Sequence, residues 1–120
     1  MTKLTPASKL KIFNSIVKLL GSMNLLQGIT ILYDNKRVMF DWYTLIPTIE
    51  EGKQATDYCE YSNNDTLTIT FDGGNLWDVM NQSYGIEEYD KLDAELSKIL
   101  KPHNLHYEMG HSWSLSLYFY

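Results

Sequence analysis

The sequence predicts an α+β fold: an antiparallel sheet of five or six strands, with an N-terminal helix and a second long helix packed on one face. Three observations carry this. From Thr66 to Phe71 the residues alternate with period two, Leu67, Ile69 and Phe71 against Thr66, Thr68 and Thr70. Across Asp72-Gly73-Gly74 the period changes to near 3.6, so strand gives way to helix within three residues. Trp113, Leu115, Leu117 and Phe119 then alternate with Ser112, Ser114, Ser116 and Tyr118, which returns the chain to strand.

A strand buried on both faces would be almost wholly apolar, so the Thr and Ser positions predict a sheet with helices on one side only. The other face is expected to be open or a contact face, formed by Thr66, Thr68, Thr70, Ser112, Ser114, Ser116, Tyr118 and Tyr120. At 120 residues the chain suits one domain, since at that size about two-thirds of the unfolded surface is buried.

Taken in order, Thr5-Pro6 reads as a helix N-cap followed by proline at the first helical position. The helix should run to about Leu20, with Leu10, Phe13, Ile16, Val17, Leu20 and Met23 on one half of its wheel. Gln27 to Tyr33 and Arg37 to Leu45 read as a hairpin around Asp34-Asn35-Lys36. Pro47 should close the second strand, Ile49 to Gln54 form a loop, and Thr56 to Ser62 a third strand. Thr66 to Phe71 completes a four-stranded meander. A short helix around Leu76 to Met80 precedes a longer one from Ile86 to Leu100, whose apolar stripe is Ile86, Tyr89, Leu92, Leu96, Ile99 and Leu100. Pro102 stops it, and His106 to Met109 begins the last strand pair, with Gly110 as a bend or bulge.

Charge is unevenly distributed. Residues 1–33 carry four lysines and no acid, whereas residues 34–120 carry fifteen acids against six bases, a balance of −9. An acidic body lacks the basic footprint that displaces counterions from a nucleic acid, so direct nucleic-acid binding is not expected. No apolar run reaches the length of a membrane span. The single cysteine, Cys59, forms no internal disulfide framework and is compatible with a reducing compartment, for which the cytoplasm is the expectation.

Candidate chemistry is sparse. Asp72-Gly73-Gly74-Asn75, between strand and helix, could expose backbone N–H groups to a small anion or nucleotide, yet it lacks the lysine and spacing of a phosphate loop. His103, His106, His111 and Glu108 match no metal-ligand spacing, and no metal or cofactor is expected. Cys59 in a strand would be a small buried hydrophobe rather than a nucleophile. Asn64-Asp65-Thr66 and Asn81-Gln82-Ser83 match a glycosylation pattern but lie where turn and helix-end residues belong. Two acidic groups remain, Glu50 with Glu51, and Glu87, Glu88, Asp90, Asp93 and Glu95 along the long helix. The latter read either as a solvated face or as a row of carboxylates for lysine and arginine.

In size, acidity, aromatic content and lack of a catalytic motif, the chain is similar to the small inhibitor proteins of phages and mobile elements, anti-CRISPR proteins among them. The likeness is compositional and covers no motif. It implies a non-catalytic module that docks acidic and aromatic surface on a larger basic protein, such as a nucleic-acid-binding enzyme. The residues expected to carry that contact are Glu87, Glu88, Asp90, Glu95, Glu50, Glu51, Tyr118 and Tyr120, with the chain a monomer or a homodimer. The alternative is a small-ligand or nucleotide-binding protein that uses Asp72, Gly73, Gly74 and Asn75.

Overall fold

Thr5 starts the first helix as its chemistry requires. The computed structural model describes residues 4–120, which leaves Lys3 outside the described residues. In it the Thr5 hydroxyl accepts from the Ser8 amide at 3.1 Å and caps α1 (Pro6–Ser22). The buried stripe of α1 is Ile12, Ile16 and Leu20, with Phe13, Val17 and Met23 beside it. Leu10, expected in the stripe, is half exposed instead, because it lies on the opposite side of the wheel from Ile12.

The remaining elements are β1 (Thr30–Tyr33), β2 (Lys36–Phe40), β3 (Pro47–Glu51), β4 (Leu67–Thr70), α2 (Asn75–Met80), α3 (Ile86–Leu100), β5 (Leu105–His111) and β6 (Ser114–Phe119). They form one six-stranded antiparallel sheet in the order β3-β2-β1-β4-β6-β5. The expected meander is therefore corrected: β4 returns to pair with β1 on the side away from β2. Helices α1 and α3 pack on one face, over Ile31, Val38, Leu67, Ile69, Leu115 and Leu117. The fold class and the strand register agree with the alternation. A bulge at Gly110 shifts the β5–β6 register between Met109 and His111.

Two strand assignments fail for local reasons. β2 ends at Phe40, because the Asp41 carboxylate accepts from the amides of Tyr43 and Thr44, both at 2.9 Å, and folds the chain into a turn. Those amide bonds, Thr44 first, also hold the Asp41 carboxyl below the usual carboxylate range. Trp42 thus leaves the strand and packs against Gly28 and Gly74, where a β-carbon would collide or crowd with its ring. Pro47, expected to close a strand, begins β3 at the rim of the sheet, the place where a missing N–H is tolerated.

Thr56 to Ser62 is not a strand. Ala55–Asp57 is a single 3₁₀ turn, and Ala55 and Cys59, four apart, are the residues that turn inward. Residues 52–65 form a strap over the face that was expected to be open, and Ala55, Cys59 and Leu32 make a second, smaller core there, with Tyr58 and Trp113 against it. Thr66, Thr68, Ser114 and Ser116 are accordingly buried. The Ser114 hydroxyl accepts from the His111 amide at 2.9 Å, and the other three join a network with residues 61–63. The Thr66 hydroxyl donates to the Leu117 carbonyl at 2.5 Å, the Asn63 amide donates to Thr68 Oγ1 at 3.0 Å, and Ser116 donates to the Tyr61 carbonyl at 3.2 Å. The Ser116 proton is thereby used, so the 2.7 Å bond between the Thr68 and Ser116 hydroxyls takes its proton from Thr68.

Candidate functional site: an acidic cleft at the start of the long helix

Gly85, at a φ of 92°, lets the chain turn sharply between α2 and α3, and the first turn of α3 carries Glu87 and Glu88. Both carboxylates sit where the positive end of the helix dipole favours them. Glu88 also borders a cleft of about 400 Å³ between the α1–β1 connection, α2 and α3. Leu25 and Val79, both buried, contribute its apolar lining, and Met23 and Tyr84 its sides. The chain just past α1 reaches the cleft through Met23 and Asn24, and the last turn of α1 carries no basic residue, so its carbonyl end adds partial negative charge. Tyr84 is two-thirds exposed and its hydroxyl lies 3.4 Å from Asp78 Oδ2, while Ile86 beside it, expected in the apolar stripe of α3, is exposed instead at the first turn of the helix. The cleft thus joins apolar walls to one carboxylate, that of Glu88, at its rim.

The other expected contact residues are dispersed. Glu87 and Asp90 are exposed next to Glu88, in keeping with their outward position on the wheel. Glu95 is tied to Lys98 at 3.0 Å and borders a groove with Lys18 of α1, so it belongs to a mixed-charge surface. Glu50 and Glu51 lie on β3, at the opposite sheet edge from β5, and Glu50 is held by Arg37 at 2.6 Å, whose guanidinium stacks over Tyr58. Tyr118 is half-buried and Tyr120 exposed, and both flank the His106 ring rather than the α3 acids. His106 itself pairs with Glu108 at 2.9 Å, and His111 stacks on Trp113. Among the described residues no three His, Cys, Asp or Glu side chains group as metal ligands.

Asp72 and Gly73 are exposed at the strand-to-helix turn. Gly74 faces the Gln27 carbonyl and Trp42, and the Asn75 side-chain amide donates to the Asn24 carbonyl at 3.2 Å, which ties α2 to the α1–β1 connection. Asn75 therefore helps to build the acidic cleft that it borders.

A second cleft, of about 480 Å³, lies between α3 and β5. There the Tyr107 hydroxyl donates to Asp93 Oδ1 at 2.5 Å and meets the Tyr89 hydroxyl at 3.1 Å. Burial, then the bond to Asp93, pushes the Tyr107 phenol far above its ordinary value, so it stays neutral and acts as a tie between helix and sheet. Asp93, counted by sequence among the helix acids, is thus engaged internally.

Sequence reasoning passed over Leu25, Val79 and Tyr84 because each reads as ordinary core or turn. The one usable signal was Tyr84-Gly85-Ile86, two large apolar residues flanking a turn glycine. No helix among the described residues is long and apolar enough to cross a membrane. Comparison of the chain with protein-family models, with curated proteins and with solved structures finds no match.

Proposed function

We propose that the protein is a non-catalytic protein-binding module that receives a lysine or arginine of a larger basic protein in the cleft rimmed by Glu88. The observation that carries this reading is the cleft itself, which joins a carboxylate rim to an apolar interior on the acidic part of the molecule. Glu87 and Asp90 extend the rim, and Tyr84 and Ile86 supply the large side chains on which interface energy concentrates. A basic surface that ordinarily holds phosphates presents the same chemistry to this row of acids, so inhibition of a nucleic-acid-binding enzyme by occupation of its site is the role we assign.

The test pairs charge reversal with salt dependence. Glu87→Lys with Glu88→Lys should slow association with the partner isolated from the native host by about tenfold or more, and should flatten its salt dependence. Circular dichroism should be unchanged, since exposed charges contribute little stability. Unaltered affinity and salt slope in the double variant would refute the proposal.

A further inference from the structure

Strand β3 is an outer strand of the sheet, with β2 as its one neighbour. The Asp41 amide donates to the Ile46 carbonyl and the Gly52 amide to the Asn35 carbonyl. Antiparallel alternation then turns the backbone polar groups of Thr48 and Glu50 toward β2, and those of Pro47, Ile49 and Glu51 outward. The outer edge therefore offers two donors, on Ile49 and Glu51, because Pro47 has none. Around it Tyr43 is 95% exposed, Ile46 66% and Ile49 58%. The strand itself reads Pro-Thr-Ile-Glu-Glu, so Ile49 is its one large apolar side chain, and its unpaired amides and carbonyls are a template for another strand.

We infer that this edge pairs with the same edge of a second copy, antiparallel about a twofold axis at Ile49. Registers centred on Pro47 or Thr48 waste donors, since the Glu51 amide then falls opposite Tyr43 or Leu45, outside the strand. Registers centred on Glu50 or Glu51 set a carboxylate directly against its twin, which is destabilising. With Ile49 at the centre, the two Ile49 residues exchange both their bonds and each Glu51 amide donates to the other copy's Pro47 carbonyl. Every outward donor is used, Glu50 stands opposite Thr48, and Glu51 stands opposite Pro47. The same register sets exposed Ile46 across from Gly52, where no side chain competes for space. A twofold pairing also closes on itself, so the edge is consumed rather than propagated into a fibre. The product is a continuous twelve-stranded sheet with all four long helices on one face.

Sedimentation equilibrium of the full chain should give twice the 14.0 kDa chain mass at high concentration. Ile49→Lys, which places two ammonium groups at the axis, should return the monomer. Under oxidation Ile49→Cys should link nearly all chains in pairs, because directly bonded partners have Cα atoms about 5.5 Å apart. Thr48→Cys should not, its two copies lying about 8 Å apart, beyond disulfide reach. Cys59 is buried and does not compete. The inference is overturned by a monomer at every concentration, by a dimer that survives Ile49→Lys, or by equal linking at the two cysteine positions. A monomer that instead takes up an extended peptide at β3 would reassign the edge to a partner's strand. Should Ile49→Lys fail to fold, the two cysteine variants decide alone.

Discussion

The Thr68 hydroxyl accepts from the Asn63 amide and donates to Ser116, so both of its roles are occupied inside the fold. Thr68→Val keeps the shape and removes both bonds, leaving the Asn63 N–H without a partner at a part-buried position. Urea unfolding should show a loss of about 1–3 kcal/mol. Tyr107 makes a prediction in pH. Its folded phenol titrates above the ordinary value of 10.0, chiefly through burial and then through the Asp93 bond. The folded state therefore favours the protonated phenol. Its contribution is fully present below pH 10 and is lost as pH rises beyond it, where the unfolded chain sheds the proton and the folded one does not. Tyr107→Phe should flatten part of the alkaline decline in the urea midpoint between about pH 9 and 12. Tyr33, raised by burial and by Asp34, accounts for a further part.

Among the elements, the strap over residues 52–65 is the least regular, yet it decides what the sheet can do. It converts the Thr and Ser face from a contact surface into an interior. At Gly110 the strap lies directly against β5: a β-carbon there would lie 2.7 Å from Tyr61 Cβ and 2.8 Å from its carbonyl oxygen. Gly110→Ala should therefore lift the strap while leaving the helical core in place. Cys59, 2% exposed under the strap, is a built-in reporter. It should react slowly with a thiol reagent in the wild type and at least about tenfold faster in the variant, since labelling then follows local opening.

For the molecule as a unit, charge separates the two surfaces. The chain carries a net charge of −5, so two copies repel at long range, whereas a basic partner is attracted. Raising salt screens both effects. Homodimerisation through β3 should tighten with salt and docking at the Glu88 cleft should weaken, which sedimentation and binding titrations at several ionic strengths would show. The two surfaces are built from different elements, the cleft from α2, α3 and the α1–β1 connection and the edge from β3.

The helices, the alternation of β4 and β6 and the class of the fold were all legible in the bare chain. Each is set by the period of its own side chains, which is local information. Thr5 and Gly85 likewise act through their own backbones or caps, whereas Pro47, expected to close a strand, begins β3. What covers each surface emerged only from long-range packing. Thr68 and Ser116 look solvent-facing on their strands, and the strap alone makes them interior. The strand expected over Thr56 to Ser62 failed in the same way, because the burial of Ala55 and Cys59 depends on Leu32, a residue distant in the chain. The acidic cleft follows the same rule: Glu88 was readable as a charge on a helix, but the apolar walls beside it come from separate segments, and only the folded chain brings them together.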